Sequence, residues 1–270
     1  MSSPATPSYT KLLAQAHELA DAAGKAVLPY FRRRIRVANK ANDGTFDPVT
    51  AADHAAERVI KRLLSKTWPE HGIVGEEFGN TRPEARLRWI IDPIDGTRSF
   101  VTGSPMWGIL IGLMDRDRAL LGLVDQPYTR ERFWSGPSAS FVRDATGRTR
   151  RIATRACRRL SDAVMMTTHP DLFAPGHEET VFQRIKSEVR MSRYGGDCYA
   201  YCLLASGFVD VIIETGLKPY DVVALIPIIE RAGGAMTSWD GGSAASGGRI
   251  AVSGDRKLHD TVLKLLSGKG

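Results

Sequence analysis

An apolar strand that runs straight into two acids, three residues apart, restricts what this chain can become more than any of its other features. Trp89-Ile90-Ile91 leads into Asp92-Pro93-Ile94-Asp95-Gly96-Thr97. Carboxylates beside a buried strand are costly to bury without a partner. Pro93 cannot donate to a sheet ladder, so the sheet is expected to stop there and the chain to turn, gathering both acids on one side. Gly96 permits a sharp turn, and the amides of Gly96 and Thr97, opening a short helix, can hold a phosphate oxygen. A hard divalent cation such as magnesium takes oxygen ligands and is usually held by a few carboxylates together with substrate phosphate. The alternative is a plain Asp-Gly turn with solvated acids.

Further acids accompany this segment. Gly72-Ile73-Val74-Gly75 is a second short apolar run that ends in acids, Glu76-Glu77. Asp221 follows Lys218-Pro219-Tyr220, where a helix N-cap belongs; one carboxylate has two oxygens, so it can cap a helix and ligate a metal together. Thr50-Ala51-Ala52-Asp53 matches a capping box, which is a sufficient structural reason for both terminal residues. Glu77 and Glu57 read as surface or supporting charges. The six histidines show no His-x-x-x-His spacing and the cysteines no Cys-x-x-Cys, so zinc chemistry is not supported.

Around these acids the chain is ordinary. Its 270 residues suggest one large domain or two modest ones. An apolar share of 43% with 25% charged residues excludes disorder, collagen and coiled coil. The longest clean apolar run, Trp107 to Met114, falls far short of the roughly 18 residues of a membrane span. Met1 to Thr10 lacks the layout of a secretory signal. Cys157, Cys198 and Cys202 show no framework spacing, which suits a reducing compartment. A soluble cytoplasmic protein with no membrane association is expected.

Apolar residues at three- and four-residue steps predict helices from Tyr9 to Phe31 and from Thr50 to Lys66, with a loop rich in Asn, Asp and Gly from Ala41 to Pro48 between them. Strands are predicted at Trp107 to Leu113, Ala119 to Asp125 and near Arg132 to Trp134. Beyond residue 150 strands alternate with helices at Glu178 to Ser187, Cys198 to Ser206, Asp221 to Ala232 and Asp255 to Leu266, with Gly233-Gly234 capping the third. This order predicts layered α+β and α/β subdomains, residues 1–150 and 151–270. The net charge is +7. It is concentrated between Arg143 and Arg159, where seven arginines face one acid, Asp144, and in a second cluster of Arg32, Arg33, Arg34, Arg36 and Lys40. No aromatics interleave with the arginines, so a solvated loop and strand edge is expected there, with nucleic-acid binding as the alternative.

The three motifs together, Gly75-Glu76-Glu77, Trp89 to Thr97, and Tyr220-Asp221 with its glycine-capped helix, resemble the inositol monophosphatase superfamily of magnesium-dependent, lithium-sensitive phosphatases over nearly the whole chain. Phe46 to Asp53 resembles the superfamily's upstream motif. The resemblance implies a five-layer αβαβα sandwich of the inositol monophosphatase and fructose bisphosphatase type, commonly a homodimer. It assigns Glu76, Asp92 and the Ile94 carbonyl to a first magnesium, and Asp92, Asp95 and Asp221 to a second. A third, weaker ion would sit near Glu76 through water. Thr97, Asp53 and Glu76 become the catalytic set, with Thr97 and Asp53 orienting the attacking water, and the Gly96 and Thr97 amides hold the phosphate. Residues 1–150 then carry most metal ligands, and residues 151–270 the last ligand and the specificity residues. The implied chemistry is in-line attack by a metal-activated water with a second ion at the leaving oxygen, without a phosphoenzyme. One departure is Tyr220, where the superfamily commonly has Trp.

Thr97-Arg98-Ser99-Phe100, Gly195-Gly196-Asp197-Cys198-Tyr199-Ala200-Tyr201 and Leu217 to Asp221 look like the histidinol-phosphate phosphatase branch, which acts in histidine biosynthesis. Gly195, Gly196, Asp197 and Glu214 fall where relatives contact the leaving group, and a carboxylate there suits a cationic amine. Asp197 has a bland alternative as a helix N-cap. Tyr199, Tyr201, Cys198 and Cys202 read as packing. The expected substrate is histidinol phosphate, a small phosphomonoester. The alternatives are inositol-1-phosphate or a range of sugar phosphates, and a nucleic-acid-associated role without catalysis.

Overall fold

Alternation along the strands divides the apolar residues between three cores and so sets the layers. In the computed structural model, which describes residues 7–40 and 48–268, the helices are α1 (Tyr9–Val27), α2 (Ala51–Thr67), α3 (Thr97–Val101), α4 (His177–Glu188), α5 (Asp197–Ala205), α6 (Pro219–Val222), α7 (Leu225–Ala232) and α8 (Arg256–Leu266). On the strand Leu87–Asp95, Trp89 and Ile91 face α1 and α2, whereas Ile90 faces α5 and α7. On the strand Val211–Leu217, Ile212 faces that same central core, while Val211 and Ile213 face α4 and α8. This is period-two burial on both faces of each sheet. The result is five layers: α1 and α2, an eight-stranded sheet, α5 to α7, a five-stranded sheet, and α4 with α8. The five-layer αβαβα expectation holds.

The eight-stranded sheet runs in space from Thr149–Ile152 through Ser140–Arg143, Glu131–Ser135, Arg118–Gln126, Gly108–Asp115, Leu87–Asp95 and Gly72–Gly75 to Asn80–Thr81. It is antiparallel except where Gly72–Gly75 lies parallel to Leu87–Asp95. That parallel pair brings the two acid-tipped strand ends to the same edge. The five-stranded sheet is ordered Met191–Tyr194, Val164–Thr167, Val211–Leu217, Gly248–Ser253, Ala235–Ser238.

Several expectations shift. The first helix stops at Val27 and tightens into a 3-10 turn at Leu28–Tyr30, because Pro29 brings no backbone donor and crowds the residue before it. The predicted helix from Asp221 to Ala232 divides into α6 and α7, and Gly233 caps the second with a φ of 108°. The basic stretch forms an edge hairpin, Ser140–Arg143 against Thr149–Ile152, whose tip is folded onto the Asp144 carboxylate by the Thr146 and Arg148 amides. The loop predicted from Ala41 to Pro48 lies outside the described residues as far as position 47, as do Phe46 and Asp47 of the upstream motif and residues 1–6. Among the described residues no helix is long and apolar enough to cross a membrane.

Candidate active site

Pro93 does not end its strand. The ladder continues to Asp95 but slips: Asp92 pairs with Leu110 and Asp95 with Gly108, so three steps on one strand oppose two on the other. Pro93, without an N–H, lies inside this bulge, where the ladder is already interrupted. The bulge also reverses the alternation. On a regular strand residues i and i+3 face opposite sides; here Ile94 joins Trp89 and Ile91 on the outer side, leaving Asp92 and Asp95 together on the inner one. The Ile94 amide donates to Asp92 Oδ1 at 3.0 Å. Gly96 then takes a φ of 85° and opens α3. A Cβ there would lie 2.9 Å from the Asp197 carboxyl group and from the Met106 carbonyl oxygen, so glycine is required both for conformation and for space.

Asp221 arrives from the other half of the chain. It is not the N-cap: Lys218 is, and Asp221 sits on the first turn of α6 and reaches back to accept the Lys218 amide at 2.6 Å. Pro219, at the first helical position, fixes this geometry. Oxygens of Asp92, Asp95 and Asp221 lie within 4.8 Å of one another. Burial and then mutual repulsion push Asp92 and Asp95 well above the usual carboxylate range, and burial raises Asp221 to about 7. Asp92, buried, with Asp95 and Asp221, half-buried, forms a donor set that a hard divalent cation fits: all oxygen, excess negative charge, and no protein cation among the three.

Glu76 lines the same cavity, presented by a tightly supported turn. Its neighbour Gly75 is constrained because a Cβ would lie 2.0 Å from Glu57 Oε1. Glu57 is fully buried and accepts the Glu77 amide at 2.7 Å and the Phe78 amide at 3.0 Å. Glu77 is likewise buried, so neither acid is a surface charge; the sequence did not reveal that the turn needs an acceptor beneath it. Lys40 donates to Glu76 Oε1 at 2.6 Å and to Glu77 Oε1 at 2.8 Å. Burial alone would lower the Lys40 pKa, and the two carboxylates reverse this and raise it. Burial raises Glu76 despite that ion pair. Lys40 carried no local signal beyond its place in a basic cluster.

The Thr50–Asp53 capping box forms: Asp53 Oδ2 accepts the Thr50 amide at 2.8 Å and the Thr50 hydroxyl at 2.6 Å. The other oxygen, Oδ1, is buried and has no hydrogen-bond partner among the described residues. Asp53 does not hydrogen-bond to Thr97. The Thr97 hydroxyl instead donates to the Ile94 carbonyl at 3.1 Å.

Beyond α3 the site opens into a cavity of about 590 Å³ that reaches Thr168, His169, Gly195 and Asp197. A smaller adjoining space of about 110 Å³ adds Glu214 and Tyr201. Asp197 is not an N-cap. Gly196 caps α5, and Asp197 Oδ2 instead accepts the Ser99 hydroxyl at 2.8 Å. Burial raises Asp197 to about 6, against the Ser99 hydrogen bond that lowers it. Glu214 is buried and accepts the Thr168 amide at 2.6 Å and the Tyr201 hydroxyl at 2.7 Å. Tyr199 bonds Glu131 on the sheet, and Cys198 and Cys202 are buried thiols raised well above their ordinary range by burial, so these three pack as expected. Tyr220 packs against the central core. Ser99, Thr168 and His169 were missed as cavity residues. Ser99 stood inside a quoted motif, and the other two are brought in by the chain's path after the strand Val164–Thr167.

Known proteins account for this arrangement. The profile of the inositol monophosphatase family matches residues 8–269. The chloroplastic bifunctional phosphatase IMPL2 of Arabidopsis thaliana is 41% identical over 98% of this chain and 78% of its own length. The histidinol-phosphatase of Streptomyces coelicolor is 36% identical over 97% and 98%. A solved inositol monophosphatase from Zymomonas mobilis shares 37% identity with a TM-score of 0.85, covering 97% of this chain and all of the other. A layered fold with an acid cluster at its sheet edge is that of a metal-dependent phosphatase. The chain belongs to the inositol monophosphatase family and is a Mg2+-dependent phosphoric monoester hydrolase.

Proposed function

We propose that this phosphatase hydrolyses histidinol phosphate, releasing histidinol and phosphate. The observation that carries the reading is the pair of carboxylates, half-buried Asp197 and buried Glu214, facing the space beside the acid cluster. A carboxylate also accepts hydrogen bonds from a polyol hydroxyl, but two acids in one small space carry negative charge that an ammonium or a protonated imidazole balances and a neutral polyol does not. Similarity to the Streptomyces coelicolor histidinol-phosphatase supports the same substrate.

Asp92, Asp95 and Asp221 would hold magnesium, with Glu76 and the Ile94 carbonyl completing the ligand set. When bound, magnesium neutralises phosphate oxygens and lowers the pKa of water at the site. The chain's own groups supply position. The first amides of α3 have no intrahelical acceptor and would donate to a phosphate oxygen. The Thr97 hydroxyl donates its hydrogen bond to the Ile94 carbonyl, which leaves the Oγ1 lone pairs to accept a hydrogen bond from the attacking water. Asp53, with its unpartnered Oδ1, orients the same water. Asp197 and Glu214 hold the leaving group.

Phosphate release with Mg2+ from histidinol phosphate and from inositol monophosphate, side by side, tests this. A large preference for the first that collapses in Asp197→Asn is expected. Equal rates on the two esters, unchanged in that variant, would leave a generalist phosphatase.

A further inference from the structure

Three successive residues, Gly195, Gly196 and Asp197, have φ of 80°, 116° and 43°. Two are glycines, for which this is ordinary. Asp197 carries a side chain, for which the left-handed region is less favourable, though Asp tolerates it better than most residues. Two ties, one from α3 and one from the end of the strand before it, hold it there. The Ser99 hydroxyl donates to Asp197 Oδ2 at 2.8 Å, and the Cys198 amide donates to Asp95 Oδ2 at 2.6 Å. Gly96 removes the remaining obstacle, since a Cβ there would strike the Asp197 carboxyl group.

The Asp197 carboxylate therefore lies against the segment that opens α3, whose first amides are the proposed phosphate cradle. Ser99 takes Oδ2 and leaves Oδ1 for a ligand. We propose that Ser99 is a positioning residue for specificity: it fixes the Asp197 carboxylate at a set distance from the phosphate cradle, so that the enzyme selects phosphomonoesters whose leaving group carries an ammonium at that spacing. The inference rests on the proposed role of Asp197. A hydroxyl suits the task because it donates one hydrogen bond to the carboxylate without bringing a positive charge that would compete with the substrate's own. The spacing is enforced by neighbours two residues apart, Thr97 at the phosphate and Ser99 at the acid, so selection works as a ruler across a short helix.

The test measures kcat/KM with Mg2+ for histidinol phosphate and inositol monophosphate in wild type, Ser99→Ala, Ser99→Thr, Asp197→Asn and the Ser99→Ala, Asp197→Asn double variant. Ser99→Ala is expected to lower the ratio of the two specificity constants about tenfold, the loss of one hydrogen bond to a charged group, and to do so through KM for the cationic ester. Ser99→Thr keeps the hydroxyl and restores most of the ratio. In the Asp197→Asn background the Ser99 substitution adds nothing further. Equal losses on both esters, or a Ser99→Ala effect that persists undiminished without the Asp197 charge, would overturn the positioning role while leaving Asp197 as the ammonium partner. Wild-type discrimination in Asp197→Asn would instead remove the role of Asp197 and this inference with it.

Discussion

Two acid clusters in this molecule are resolved in opposite ways. Between α1 and the eight-stranded sheet, Arg132 is 3% exposed and divides its guanidinium among Asp125 at 2.6 Å, Asp21 at 2.7 Å and the His17 ring at 3.3 Å. Each charge there meets its opposite within the chain. At the sheet edge, Asp92, Asp95 and Asp221 converge with no cation of the protein among the three, and each is pushed upward by burial and by its neighbours. The first cluster fastens a helix to a sheet. The second leaves an excess of negative charge that an ion from outside would balance, so the fold carries electrostatic cost at its candidate site.

The sharpest way to separate the two is to neutralise one member of each. Asp92→Asn is expected to lower kcat/KM by roughly 10³-fold or more, because the most buried acid of the cluster is lost as a ligand. Yet in chelator-treated protein the same change raises the melting temperature, since repulsion among the carboxylates is relieved. A variant that loses activity and stability together without metal would show that these acids are held by something other than mutual repulsion.

Arg132→Met runs the other way. It strands Asp125 without its cation and is expected to cost about 3–5 kcal/mol in chemical denaturation. Adding Asp125→Asn recovers much of that loss, because the two residues act as a unit. Activity per folded molecule is unaffected, which a rate normalised to folded fraction measures. A small cost for Arg132→Met alone would mean water reaches Asp125 as readily as it reaches the surface.

How legible the two clusters were differs as well. The candidate ligand acids stood out because acids at the tips of apolar strands conflict with local pattern, and the layers followed from strand periodicity. The bulge did not: Pro93 marked an interruption, but whether a strand stops or slips depends on the partner, here Leu110 and Gly108, which the local sequence does not name. For Glu57 the sequence left surface and supporting roles open, and for Lys40 it gave no site role, because their surroundings come from residues some twenty to forty positions away, Phe78 and Glu76 among them. The Arg132 cluster was invisible for the same reason; its four members are spread between α1 and two strands, and each looks like an ordinary surface charge.

Magnesium itself sharpens the contrast at a smaller scale. Asp221 has a native pKa of about 7 against an ordinary 3.8, so without metal the native state holds a proton that the unfolded chain has released between those values. That contribution is fully present below about pH 4 and is lost as pH rises through about 7, a change on the order of a few kcal/mol. Saturating Mg2+ at neutral pH opposes it, with a gain of about 2.7 kcal/mol at a hundred times Kd. Melting curves from pH 4 to 8, with and without Mg2+, should diverge upward. Parallel curves would count against the cluster as the binding site.

His17 provides the smallest test, with the opposite slope. Burial first, then Arg132 and Arg143, lower it from 6.5 to about 4. The unfolded chain therefore takes up a proton first as pH falls, and stability is lost between about 6.5 and 4 rather than gained. The ring is only partly buried, so the effect is about 1 kcal/mol after allowance for solvent screening. His17→Gln keeps an acceptor for Arg132 but cannot be protonated, and it should flatten the acid limb of a Mg2+-saturated stability profile. An unchanged limb would assign that loss to other groups and leave the Arg132 cluster indifferent to pH, held by its fixed charges alone.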